Sequence, residues 1–188
     1  MIQKIKKEQR LSIKILKILG IGLGITAVSI LAPHLPYVLL KAYIQQKLRK
    51  SYSKNQMHNS FKYLRRKKFI AFEYKENKIR VILTKLGRQH LNKIAFEEIK
   101  IQPVEWDGRW RLLTFDIPEY KKSARQTFRR RIKELGFFHF QRSVFIFPYP
   151  CEKEINEMAK LLEIRSYVHV IACDRFVRDQ YLLKKLKL

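Results

Sequence analysis

Acidic residues are scarce at the front of this sequence. Residues 1–100 hold 5 of them against 23 lysines and arginines, a net +18. Cysteine is scarcer still. Cys151 and Cys173 are the only two; they form no CxxC pair, and no Cys/His cluster offers four zinc ligands. A disulfide framework and a structural zinc site are thereby set aside, leaving two buried thiols in a reducing cytosol as the expectation. The histidines (His34, His58, His90, His139, His169) are scattered, without HExxH or zinc spacing. No G-x-x-x-x-G-K-[ST] loop occurs, and no serine has a nucleophile-elbow context. Gly20, Gly22 and Gly24 are expected inside an apolar helix rather than after a strand.

What is abundant is positive charge. The chain has 188 residues, room for one ordinary domain or two small ones, and 46% of them are hydrophobic, enough for a packed core. Against that stand 41 basic and 16 acidic residues, a formal +25. Self-repulsion of that size favours a polyanionic partner, either nucleic acid or an anionic membrane surface. Residues 101–188 carry 18 basic and 11 acidic residues, a milder +7. A break near Lys100, followed by Pro103, divides the chain into a basic domain over 1–100, a second over 105–174 and a helical tail over 175–188.

The membrane question rests on one segment. No charged residue lies between Lys17 and Lys41. Ile18–Leu40 as one helix would reach about 35 Å, enough to cross a hydrocarbon core. Pro33 and Pro36 divide it, and the uninterrupted part, Ile18–Ala32, reaches only about 22 Å. Basic residues flank both sides, so no orientation bias emerges, and no small-residue cleavage site marks a signal peptide. Two helices are expected, Ser12–Leu31 and Pro36–Lys50; they are either buried core or membrane-inserted.

Downstream, Met57, Phe61 and Leu64 fall on one face of a helix running from Lys54 to Lys67. The opposite face carries Asn55, Asn59, Lys62 and Arg66, with Tyr63 beside them. Asn pairs bidentately with adenine, and Arg and Lys reach guanine or phosphate, so this face suits a recognition helix; a solvated surface helix has the same pattern. Phe69–Tyr74 and Ile79–Leu83 then read as two strands around a polar KENK turn, and Thr84 is a candidate N-cap for a further helix. The cadence Tyr63-Leu64-Arg65-Arg66-Lys67-Lys68-Phe69-Ile70, then Leu83-Thr84-Lys85-Leu86-Gly87, resembles the "LKKKGLI…LTEKG" of winged helix-turn-helix regulators. The resemblance implies a wing carrying Lys75, Lys78 and Arg80 to the phosphate backbone.

From Trp106 the pattern changes. Trp110–Asp116 reads as a strand, and Lys121–Leu135 as a helix with Ala124, Phe128, Ile132 and Leu135 inward and Lys122, Arg129, Arg130 and Lys133 outward as further nucleic-acid-binding candidates. Strands at Phe137–Gln141 and Val144–Phe147, a helix at Glu152–Leu162 and a strand at Tyr167–Ala172 complete a ferredoxin-like βαββαβ order. The fold class expected is therefore α+β. The aromatic residues Phe137, Phe138, Phe140, Phe145 and Phe147 alternate within strands, as core or dimer interface rather than base-stacking platforms.

Trp106-Asp107-Gly108-Arg109-Trp110-Arg111, Phe115-Asp116-Ile117-Pro118-Glu119, Leu135-Gly136-Phe137 and Gln141-Arg142-Ser143-Val144-Phe145-Ile146 resemble the central domain of PaaX-like transcriptional regulators. That domain is itself similar to the small endonuclease subunit of the CRISPR adaptation complex. In PaaX-like repressors a winged helix precedes it, as here. The resemblance covers most of residues 106–172; the acyl-CoA sensing of full-length members is not carried over. It also implies a role for Asp116, which occupies the position of an Asp implicated in divalent-metal binding and phosphodiester cleavage. Two symmetry-related carboxylates would suit Mg²⁺. Two departures weigh against this: Pro118 follows closely, and Ile146 replaces the acidic residue common after "SVF". Asp116 serves equally as a turn cap before Pro118.

The reading that joins charge and pattern is a cytoplasmic, sequence-specific regulator, a repressor, binding double-stranded DNA as a homodimer without a cofactor. Two alternatives stay open. One is a Mg-dependent endonuclease or CRISPR adaptation subunit using Asp116; the other is a membrane-tethered nucleic-acid binder held by residues 18–40.

Overall fold

The computed structural model describes the backbone of residues 2–20, 25–28, 42, 44–48, 51–75, 78–176 and 179–186, with side chains over 10–20, 42, 44–48, 51–73, 81–176 and 179–186. The chain is mixed α+β and divides into two compact units, Met1–Ile94 and Ala95–Leu188.

The first unit opens with α1 (Ile2–Gly20) and β1 (Ile25–Val28). The spacing of Leu11, Ile15, Leu16 and Leu19 gives α1 one apolar stripe, and all four are buried. This corrects the helix expected over Ser12–Leu31. It begins ten residues earlier and stops at Gly20, and the apolar run continues as a strand. Gly20, Gly22 and Gly24 weaken helix formation, and Ile25, Thr26 and Val28 are β-branched residues that favour a strand. Ile25–Val28 pairs antiparallel with residues 78–81, from Ile25 opposite Val81 to Val28 opposite Lys78. Among the described residues no helix is long and apolar enough to cross a membrane. Of the second expected helix, residues 44–48 are helical with Ile44 buried, while the start at Pro36 lies outside the described residues.

Helix α2 (Lys54–Arg66) is capped by Ser53. Its hydroxyl accepts from the Gln56 amide at 3.2 Å, and the Gln56 side chain accepts from the Ser53 amide at 3.0 Å. Such a cap contributes about 1 kcal/mol. Met57, Phe61 and Leu64 point into the core, with Ser60 buried beside them. The helix ends in a Schellman turn, the Phe69 amide bonding to the Leu64 carbonyl and the Lys68 amide to Arg65, each at 2.9 Å. Lys68 takes φ 56°, a left-handed conformation costing a non-glycine residue about 1–2 kcal/mol.

Strands β2 (Ile70–Lys75) and β3 (Lys78–Leu83) follow as a hairpin, giving an antiparallel sheet of order β1-β3-β2. Thr84 then caps α3 (Lys85–Glu98), its hydroxyl accepting from the Gly87 amide at 3.0 Å and donating to the Lys68 carbonyl at 2.6 Å. A side chain at Gly87 would bring Cβ to 2.0 Å from the Phe69 carbonyl, so only glycine lets α3 seat here.

The second unit runs β4 (Trp110–Phe115), α4 (Lys122–Glu134), β5 (Phe138–Gln141), β6 (Val144–Phe147), α5 (Glu152–Leu161), β7 (Val168–Cys173) and α6 (Gln180–Leu186). The sheet order is β5-β6-β4-β7, every pair antiparallel, so β4 and β6 are central. Alternation along the strands sorts the side chains. Leu113, Phe115, Phe145 and Phe147 meet Phe128 and Ile132 of α4 and Ile155 and Met158 of α5 in the main core. On the other face Trp110 and Ile146 are covered by Leu182 of α6. Helices α4 and α5 end in the same Schellman turn as α2, with Gly136 (φ 92°) and Glu163 (φ 56°) at the left-handed position.

Candidate nucleic-acid interface

Acidic residues divide unequally between the units. Residues 1–94 hold 22 basic and 3 acidic residues; residues 95–188 hold 19 and 13. On α2 the burial of Met57, Phe61 and Leu64 turns Asn55, Asn59, Lys62 and Arg66 outward, successive members four or three residues apart and so in one stripe. Asn55, Lys62 and Arg66 are exposed and Asn59 is half-buried. Tyr63 packs against the apolar core of the unit, supporting the helix from its flank. The hairpin places Lys75 opposite Lys78 and Glu73 opposite Arg80 in register. The side chains of Lys75, Lys78 and Arg80 lie outside the described ones.

The α4 cations are placed differently. Lys122 lies 3.5 Å from Glu119, and Arg130 lies 3.9 Å from Glu134. Arg129 donates to the Arg142 carbonyl at 2.7 Å and lies over the Phe145 ring. Lys133 is exposed. Charge on this helix is thus spent largely on local acids and carbonyls.

Asp116 is exposed directly after β4, with its backbone amide donating to the Tyr167 carbonyl at 3.0 Å. Glu119, the other carboxylate of that motif, is held by Arg125 at 2.6 Å, which lowers its pKa. Among the described residues no three His, Cys, Asp or Glu side chains come together to hold a metal. Within one chain the donor set at Asp116 does not fit a divalent cation, which needs several oxygens.

Two further constellations escaped the sequence reading. Arg111, 5% exposed, is gripped by Asp107 through two hydrogen bonds of 2.7 and 2.6 Å, and by Glu152 at 3.1 Å. The guanidinium holds Asp107 down at a pKa of about 2. Fully buried Trp110 donates its indole N–H to Asp179 at 3.2 Å, and Arg175 also grips that carboxylate, lowering its pKa. Asp107 with Arg111, and Arg175 with Asp179, stand four residues apart, a spacing that flags opposite charges for pairing. Nothing local joins Trp110 to a residue 69 positions on. The WDGRWR motif is therefore a structural knot: Trp110 and Arg111 are buried and bonded within the fold, while Asp107 and exposed Arg109, 3.0 Å from Asp174, close it from the surface.

Residues 103–181 match the family model of the PaaX protein central Cas2-like domain. The match takes in Arg175 and Asp179. No curated protein matches the chain.

Proposed function

Since the chain is PaaX-like through its central Cas2-like domain, we propose that it is a sequence-specific, double-stranded-DNA-binding transcriptional repressor. In this reading the first unit is a winged helix: α2 is the recognition helix, the β2–β3 hairpin is the wing, and β1 is the third strand of the small sheet. The observation that carries it is the α2 stripe of Asn55, Asn59, Lys62 and Arg66, set in a unit with 22 basic and 3 acidic residues. Asn and Arg supply base-edge readout, and the cations supply phosphate affinity.

The second unit, read as ferredoxin-like, is the dimerisation module. On the sheet face away from α4 and α5, Ile146 is already covered by Leu182, and the apolar surface left open lies beside it. Ile171 is 53% exposed and Phe140 48%. A symmetric dimer would present two recognition helices to half-sites on one duplex. The reading implies a cytoplasmic protein acting without a cofactor.

Gel-shift titration against genomic fragments at several salt concentrations tests the proposal. A subset of fragments bound at least ~10³-fold more tightly than bulk DNA is expected. Equal affinity for all sequences removes the regulator reading and leaves only salt-dependent backbone binding. Sedimentation across a concentration series tests the dimer; a monomer throughout removes it.

A further inference from the structure

We infer that the turn closing α2 and the first turn of α3 form a phosphate-contacting ridge, built from Lys67, Lys68, Lys85 and Arg88, that grips the DNA backbone beyond the end of the α2 stripe. The inference rests on the DNA-binding reading above and adds residues that neither the stripe nor the wing contains.

Sequence separation hides this ridge, because Lys68 and Thr84 stand 16 positions apart. Folding closes the gap. The Thr84 hydroxyl donates to the Lys68 carbonyl at 2.6 Å, and its amide donates to the Phe69 carbonyl at 3.1 Å. Gly87 has no Cβ, which lets the first turn of α3 rest on the Phe69 carbonyl. Phe69 and His90 stack with ring centroids 4.3 Å apart, fixing the same contact from the side. Lys85 and Arg88 flank Thr84 and Gly87, so they are carried to the turn that bears Lys67 and Lys68. All four cations are exposed.

Their surroundings are poor in acids. The sequence has no Asp or Glu between Glu8 and Glu73, nor between Glu76 and Glu97. The α4 cations are different, with Glu119 and Glu134 on hand to absorb them. Four exposed cations on a rigid backbone contact, next to Arg66 at the end of the stripe, suit a row of phosphates. The ridge lies beyond the α2 stripe and three of its four cations are lysines, compact point charges suited to phosphate, so the contact is expected to add affinity without sequence preference.

Lys68 also provides a clean probe. It sits at the left-handed position of its Schellman turn, where α4 has Gly136. Lys68→Gly removes the charge and relieves the backbone, so lost binding cannot be ascribed to lost folding.

The experiment is fluorescence anisotropy with a preferred duplex and a scrambled duplex over a salt series. The wild-type chain is compared with Lys67→Ala/Lys85→Ala/Arg88→Ala and, separately, with Lys68→Gly. The triple variant is expected to lose affinity equally for both duplexes, its log–log salt slope shallower by about 2–3. Lys68→Gly is expected to flatten the slope by about 1 at an unchanged or higher Tm. Wild-type binding with unaltered slopes in both variants overturns the ridge and leaves the DNA-binding reading standing. A changed ratio between the two duplexes overturns the sequence-neutral contact. Absence of wild-type binding overturns both readings. If the triple variant keeps its DNA binding but loses binding to anionic phosphatidylserine vesicles, the ridge is a membrane contact and the proposal fails.

Discussion

The two units of this chain use the same residue types to opposite ends. In the first, cations stand on helix faces and turns almost without acidic neighbours in the sequence. In the second, arginines are cement: Arg111 joins Asp107 to Glu152, Arg175 holds Asp179, Arg125 reaches Glu119 and the Ile117 carbonyl, and Arg131 reaches the carbonyls of Glu97 and Ile99. Basic residue counts are similar in the two units, 22 and 19, so the count of arginine and lysine does not distinguish them. The 13 acidic residues of the second unit do, by giving its cations somewhere to go. A cation is available to a polyanion only where the fold has not already engaged it.

That contrast makes predictions of graded size. The largest concerns Trp110, fully buried and hydrogen-bonded to Asp179. Trp110→Ala is expected to destabilise the second unit by ~3–5 kcal/mol, read from urea unfolding; a loss below 1 kcal/mol would show that the knot is not structural.

Next, Asp107→Asn leaves Arg111 with fewer charged partners and is expected to cost ~1–3 kcal/mol, again by urea unfolding. The comparison with Lys62→Ala is the sharper test. That exposed substitution is expected to shift stability by less than ~0.5 kcal/mol while flattening the DNA salt slope by about 1. If Lys62→Ala costs as much stability as Asp107→Asn, the division between surface charge and cement fails.

Acid should discriminate between the units as well. Asp107 has a folded pKa of about 2 against an ordinary 3.8, a depressed value, so its contribution is present above about pH 3.8 and is lost as pH falls through about 2. Asp179 is shifted in the same direction by Arg175. Stability of the second unit is expected to drop over that window, with a smaller drop in Asp107→Asn, as followed by acid titration of tertiary-structure signals. The first unit has only three acidic side chains to protonate.

The smallest effect is on Ser60, whose hydroxyl is buried in α2 with no hydrogen-bond partner among the described residues. Ser60→Ala is expected to be neutral or stabilising by up to ~1 kcal/mol in thermal unfolding. A loss larger than that would reveal a partner for the hydroxyl.

Periodicity made much of this legible in the sequence. The 57/61/64 spacing gave α2 and hence its outward stripe, and alternation around Trp110–Phe115 and Val144–Phe147 gave the second sheet. The strand at Ile25–Val28 was not legible because a continuous apolar run lacks a period that separates helix from strand. The glycines at 20, 22 and 24 and the β-branched run after them were the overlooked signal. The ridge at Lys68 was not legible, because it depends on a hydroxyl–carbonyl contact across 16 residues. Nor was the commitment of Arg129, whose partner is a backbone carbonyl that no side-chain pattern announces.

The knot around Trp110 has an optical consequence. Trp106 and Trp110 are the only tryptophans of the chain, and their rings lie 5.4 Å apart within the second unit. Selective excitation of indole therefore illuminates that unit alone. Trp110, sealed beneath Leu182 and Phe176, is set to emit at short wavelength and to shift red when the C-terminal helix lifts away. Melting of the first unit would pass unseen at that wavelength, and a single smooth emission curve would say nothing about the half of the molecule that carries most of the net charge.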